Sequence, residues 1–389
     1  MALDLSDIRV IDADTHLTEP HDLWTAQAPA SMRDRMPQVI TDDDGVAQWM
    51  VEGKLLGRAG GGGVIGRDGS KINAQVGLFE WTLDDIHQGA YDPVARLEMM
   101  NEMGVYAEVL YPNVIGLGGQ GIAELVEDAS FRLTLVQMYN DHMSGIQERS
   151  GFRLLPMGIL PSWDVDACVA EARRLGAMGF RGVNMTSDPH DLGAPDMATR
   201  AWDPLWATLS ELDLPLHFHI GASLTAMNFF GNYPWPSQQE DVALGIGGSL
   251  LFIGNSRVVI NIICSGMLDR FPELKVVSVE SGCGWIPFIL ETLDYEMEEN
   301  APAFVQELEL RPSEYFRRQM YATTWFERRD LPYMVNSIGE DNIMWETDFP
   351  HPTCIFPDPL KAAAANMAEL TEAQQRKILS ETAVRLYKL

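Results

Sequence analysis

Cysteine is scarce in this 389-residue chain: there are four, at positions 168, 264, 283 and 354, and no two form a CxxC pair. That excludes a zinc-ribbon or disulfide framework and fits a reducing compartment. Positive charge is scarce too, with 28 Lys and Arg against 56 acids and a formal charge of -28. A field of that sign repels phosphate backbones and anionic lipid, so nucleic acid and membrane are excluded as partners. No uncharged apolar run reaches about 18 residues, the length a membrane span needs. The opening MALDLSDIRV has neither a basic start nor an apolar stretch of signal length, so a cytoplasmic protein is expected. Core-forming material is plentiful: 46% of the residues are hydrophobic, which supports a large core and argues against disorder.

Apolar, β-branched runs recur at 9–16, 107–113, 153–161, 179–185, 215–221, 275–282, 319–326 and 342–350, mostly separated by helical stretches. Several helices carry start and stop signals. Asp92-Pro93 opens one that Gly104 closes, Asp203-Pro204 opens another, and Thr371 with Gln374 forms a capping-box pair. Residues 257–268 are β-branched, but the apolar stretch from Ser249 to Leu268 is too long for a strand and reads as helix. Eight strands alternating with helices predict an α/β fold, a distorted (β/α)8 barrel. Residues 24–90 fit no βα unit. They read as an insertion after the first strand, with a hairpin around Glu52-Gly53 and a glycine-rich loop, GRAGGGGVIGRDG. That loop lacks the Lys-Ser/Thr of a P-loop and reads as a flexible excursion, not a phosphate cradle.

In such barrels, chemistry sits at the C-terminal ends of the strands. Asp14 and His16 end the first strand, alternate residues that share a face. His217 and His219 stand on the fifth strand, Glu280 ends the sixth, and Asp348 ends the eighth with His351 just beyond. Each has a bland alternative: Asp12 a turn cap or rim pair, His217 a core residue, Glu280 a partner of Arg181, Asp348 a turn residue. All would have to hold together. Asp14, His16, His219 and Asp348 supply two nitrogens and two carboxylates, a set that suits one divalent ion. Zinc is the first expectation and manganese the second. Such an ion lowers the pKa of bound water or clamps substrate oxygens, and Glu280 or His351 would then move protons.

The blocks DADTHLTEPHDLW, PLHFH, GMLDRFPELKVVSVESGCGWIPF, ETDFPHP and KILSETAVRLYKL together resemble the amidohydrolase-related proteins grouped with aminocarboxymuconate-semialdehyde decarboxylase. The resemblance runs over nearly the whole chain except 24–90. It implies a distorted (β/α)8 barrel with one divalent metal, ligands at Asp14, His16, His219 and Asp348, and Asp348 doubling as proton carrier. Characterised members include non-oxidative decarboxylases of aromatic or unsaturated acids; others are hydrolases or hydratases. Two positions depart from the pattern. The first strand reads D-T-H where that decarboxylase has H-x-H, and Glu280 stands where the family commonly has a histidine.

The expected function is therefore a metal-dependent enzyme acting on a small organic acid or phenolic substrate. Carboxy-lyase is placed first. Metal-dependent hydrolase, with Asp348 or Glu280 as base, is the alternative. A non-catalytic binding barrel is third, since a decayed site should have lost ligands. Catalysis is assigned to Asp348 and Glu280, and substrate contacts to Arg181, His217 and His351. The partners expected are a small molecule and a second copy of the chain, as a homodimer. FFGNYPWP (229–236) reads either as a substrate lid or as a surface loop on a dimer partner. Cys283 reads as small-residue packing.

Overall fold

The computed structural model describes residues 8–43, 45–72, 81–232 and 235–389. Twelve strands occur in these residues: β1 Ile11–His16, β2 Gln38–Thr41, β3 Ala47–Val51, β4 Lys54–Arg58, β5 Ala107–Tyr111, β6 Leu154–Pro156, β7 Gly158–Ile159, β8 Val183–Asn184, β9 Leu216–His219, β10 Val276–Val279, β11 Met320–Thr324 and β12 Ile343–Trp345. Parallel pairing runs β1-β5-β6 and β7-β8-β9-β10-β11-β12. Only Met157 separates β6 from β7, and its N–H donates to Leu110 while the N–H of Gly158 donates to Gly182. The two pieces are thus one strand that pairs with a different neighbour in each half. The ring closes where the Asp348 N–H donates to Asp14 at 3.0 Å and the His16 N–H donates to Phe349 at 2.8 Å. Eight parallel strands therefore form the barrel, one in each of the eight expected runs.

The interior is filled by Ile11, Val109, Met157, Val277, Val279 and Met344, with Leu386 and Tyr387 of the last helix packed against them. A larger core lies between the strands and the outer helices. The helix Pro93–Met103 starts where the Asp92 side chain accepts from Val94 and Ala95, and ends at Gly104 with φ +76°. The Thr371–Gln374 capping box forms as expected. Asp203 does not: it is the first helical residue, and its carboxylate instead accepts from Arg270 and Arg200. Residues 240–264 are long and apolar enough to cross a membrane by composition alone. Asn255 divides them into the helices Glu240–Gly254 and Ser256–Cys264, and its amide pins the junction to Phe218 and Ser278 on β9 and β10. The stretch is therefore a barrel-covering element, and the helix expected over 257–268 is present as far as Cys264, with Gly266 at φ +66° separating it from a short helix Met267–Arg270.

Between β1 and β5, strands β2-β3-β4 form an antiparallel sheet. Glu52 and Gly53 both have positive φ, 48° and 76°, as a two-residue hairpin turn of mirror type requires. The glycine-rich loop packs against the barrel instead of leaving it. The Val64 N–H donates to Pro350, and a Cβ on Gly61 would lie 2.7 Å from Thr18. The glycines permit close approach to the loop after β1.

A fully buried ion pair braces the same corner. Arg96 Nη1 donates to Glu108 at 2.8 Å, Nε to Gly89, and Nη2 to the carbonyl of His16. Removing one member of such a pair leaves an uncompensated charge, at a cost of about 3–5 kcal/mol. Arg96→Met is expected to lower the urea midpoint accordingly, and Arg96→Met with Glu108→Leu to recover most of the loss. Equilibrium unfolding of the two variants checks this.

Candidate metal centre and active site

Each donor reaches the barrel mouth by a local device. On β1, the register against β5 shifts between Asp12 and Thr15. Asp12 accepts from the amide and hydroxyl of Thr347 at 2.9 and 2.6 Å, tying β1 to the loop after β12. Its partner is the neutral Thr347, not the cation of the rim-pair reading, and Asp12 is fully buried. Asp14 and His16 are fully buried. Glu280 and Asp348 follow β10 and β12 with φ +54° and +60°. A non-glycine residue held there costs about 1–3 kcal/mol, a strain typical of functional positions. Below Glu280, the Glu327 carboxylate accepts from the amides of Cys283 and Gly284 at 2.6 and 3.2 Å and from the Thr324 hydroxyl at 2.7 Å. A side chain at Gly282 would meet Glu327 at 2.4 Å. Cys283 packs against Met334, as expected of it.

The ring nitrogens are set by their partners. His16 Nδ1 faces the Pro112 carbonyl at 3.2 Å, and His219 Nδ1 faces the Ile220 carbonyl at 2.9 Å. A carbonyl can only accept, so both Nδ1 atoms carry the proton and both Nε2 atoms present lone pairs. Those two Nε2 atoms are 3.2 Å apart. Asp14 Oδ1 lies 3.8 and 3.6 Å from them, and Asp348 Oδ1 lies 3.8 Å from His16 Nε2. Both Asp14 oxygens and Asp348 Oδ1 are buried without a hydrogen-bond partner. Glu280 Oε2 approaches His219 Nε2 to 3.1 Å. Donor atoms of Asp14, His16, His219 and Glu280 lie within 4.8 Å of one another, as do those of His16, Glu280, Asp348 and His351. Lone pairs and carboxylates converging without protons repel each other. A cation at their common point removes the conflict, and the residues fit one.

Burial holds the His16 imidazolium well below the usual range, reinforced by His351 and His219, which keeps the ring neutral as a ligand must be. Burial also raises Asp14, with His219 opposing it. Glu280 is pushed well up by burial first and then by Asp348 and Asp14.

His351 Nε2 meets Asn113 Oδ1 at 2.8 Å, while its Nδ1 lies 3.1 Å from Asp348 Oδ1. Thr353 donates to the other Asp348 oxygen at 2.8 Å. Asn113 belongs to a loop whose amides at 113, 114 and 115 all point at the buried Glu19 carboxylate. Glu19 thereby supports Pro112 and Asn113, and through them both His16 and His351. Sequence reasoning missed Glu19 and Asn113. Only the block THLTEP carried a hint of the first.

Asp14, His16, His219, Glu280, Asp348 and His351 therefore meet at the mouth. Two other expected site residues do not. His217 lies deeper, with Nδ1 2.5 Å from the Tyr111 hydroxyl, and burial drives its pKa down to about 3. It shares an inward face with His219 but occupies the layer beneath, which is the core reading. Arg181 precedes β8 and so sits at the opposite end of the barrel, over the Phe152 ring. It pairs with neither Glu280 nor the cavity. The proposed aromatic lid lies partly outside the described residues, at Tyr233 and Pro234. Phe230 of that block lines the cavity over Glu280 and Asp348, and Trp235 is exposed.

Above the donors opens a cavity of 490 Å³, with Glu280, Asp348 and His351 at its floor and apolar side chains around it. A buried nitrogen and carboxylate set at the C-terminal mouth of a (β/α)8 barrel, beneath such a cavity, defines a barrel enzyme dependent on one divalent metal. The amidohydrolase family profile matches residues 11–389, and the chain belongs to that family. It is 24% identical over 310 residues to the gamma-resorcylate decarboxylase of a Polaromonas species, covering 76% of this chain and 86% of that protein. An amidohydrolase from Mycobacterium avium subsp. paratuberculosis superposes with a TM-score of 0.76 at 20% identity, covering 98% of this chain and 99% of that one. A 5-carboxyvanillate decarboxylase from Novosphingobium aromaticivorans, complexed with manganese and 4-hydroxy-3-methoxy-5-nitrobenzoic acid, gives 0.68 at 17% identity, covering 100% and 98%.

Proposed function

We propose that this chain is a carboxy-lyase acting on a phenolic or related small organic acid. Asp14, His16, His219 and Asp348 hold the ion, and Glu280 lies within reach of it. Manganese is preferred to zinc: the cluster offers carboxylate oxygens from Asp14, Asp348 and Glu280, which favour the harder ion. The manganese-bound decarboxylase of similar fold supports that choice. When bound, the ion supplies a clamp for the substrate carboxylate and a neighbouring oxygen.

The observation that carries the reading is the Asp348 side chain. Its Oδ1 has no hydrogen-bond donor, lies 3.1 Å from His351 Nδ1, and faces the cavity. Asp348 delivers a proton to the ring carbon as CO2 leaves. His351, anchored by Asn113, restores that proton. The apolar walls keep bulk water from competing. The relation to a gamma-resorcylate decarboxylase supports the reaction class.

Glu280 favours the second reading, hydrolysis. It lines the same cavity and could take a proton from water. Glu280→Gln separates the two. Under the proposed chemistry, CO2 release from hydroxybenzoates retains about a tenth or more of its rate. A hydrolase led by Glu280 would lose about 100-fold or more on esters and lactones. Carbon dioxide and acid release measured side by side decide between them. The reading also includes a cytoplasmic homodimer. Its support is the four unpaired thiols and the exposed Val242 and Ile253, and sedimentation equilibrium tests the dimer.

A further inference from the structure

The cavity wall differs sharply from its floor. Leu117, Ile220, Phe230, Leu244, Leu251 and Phe252 form most of the wall, and the charged side chains that join them are acids: Glu280, Asp348 and, on the covering helix, Asp241. No Lys or Arg lines it among the described residues. The remaining residues, 1–7, 44, 73–80 and 233–234, contain none either. Away from the ion and His351, a substrate group bearing a second negative charge would lose its hydration here and meet no Lys or Arg. The cavity also exceeds what one ring and its reacting carboxylate need. On the same helix, Gly245 and Gly248 line it, and a Cβ at either would meet nothing within 4 Å. Gly245 is exposed and Gly248 half-buried, so at these two glycines the cavity has open room at its outer side.

We infer that the substrate presents a single anionic group to the centre and carries an uncharged alkyl or aryl extension into the space beside Gly245 and Gly248. The proposal rests on the carboxy-lyase reading for the identity of that anionic group only. The extension is recognised by burial: each methylene removed from water contributes about 0.8 kcal/mol, roughly a fourfold gain in affinity.

The test is calorimetric titration of the manganese-loaded full chain with resorcinol, its 5-methyl, 5-propyl and 5-pentyl derivatives, and a carboxylate-ended analogue matching the pentyl chain in length. Dissociation constants are expected to fall about threefold or more per methylene. The carboxylate-ended analogue is expected to bind at least about 30-fold more weakly than pentylresorcinol. Gly248→Leu fills the space and should flatten the series. A series flat in the unmodified chain, or tighter binding of the charged analogue, overturns the inference. Release of CO2 from the corresponding dihydroxybenzoates is scored separately. Its absence, with the binding series intact, would remove the carboxy-lyase reading and leave the assignment of the cavity standing.

Discussion

Asp348→Asn is expected to lower kcat by about 10³-fold or more, with the fold intact. The backbone at this position has φ +60°. Asparagine tolerates that region better than almost any other residue with a side chain, so the substitution adds no strain. The amide oxygen can still accept the Thr353 hydroxyl that now bonds Oδ2. What disappears is the titratable oxygen, the one at 3.1 Å from His351 Nδ1. In its place stands an NH₂ that cannot pass a proton to carbon. The same change weakens the hold on the ion, because a neutral amide replaces a carboxylate. The two losses are separable: metal content and kcat are measured together at saturating manganese. Full occupancy with turnover still abolished assigns the loss to proton delivery. Near-normal turnover would show that the proton comes from elsewhere, with Glu280 the next candidate.

The barrel was legible because its signals are short-range. Each strand is an apolar run closed by turn residues, and the caps at Asp92 and Thr371 operate within one helical turn. Polar residues placed late in such runs stand out against the apolar background, which is why Asp14, His16, His219, Glu280 and Asp348 could be named in advance. Depth along a strand is less legible. His217 and His219 have the same parity and the same inward face, and only the layering of the closed barrel separates core from mouth. Arg181 failed for a related reason. The fourth strand is just Val183–Asn184, so a residue that looked late in a longer run in fact precedes the strand. Long-range supports left the least trace. Glu19 acts on amides 94 to 96 residues away, and Glu327 on amides about 44 residues earlier. No local pattern announces such partners. Nor does any announce the left-handed backbone at Glu280 and Asp348, which tertiary pairing to Thr323 and Asp14 enforces.

Stripping the ion is expected to abolish turnover and to lower the melting temperature, and manganese is expected to restore both. Without a cation, the Nε2 lone pairs of His16 and His219 stay 3.2 Å apart and Asp14 keeps two buried oxygens unpartnered. Each unsatisfied buried group costs about 1–3 kcal/mol, so the metal-free fold bears a substantial local penalty. A ligand that binds only the folded chain stabilises it by about 2.7 kcal/mol at a hundred times its dissociation constant. The melting temperature should therefore climb with manganese concentration instead of reaching a fixed value. His16→Ala should suppress the climb, since it removes one nitrogen and leaves the Pro112 carbonyl without its donor. Arg35→Ala, at a partly exposed surface pair, should leave it unchanged. Scanning calorimetry across a manganese series, with elemental analysis of each sample, reads both effects. A chelated preparation that analyses free of metal yet turns over at the full rate would mean that these donors converge for another reason.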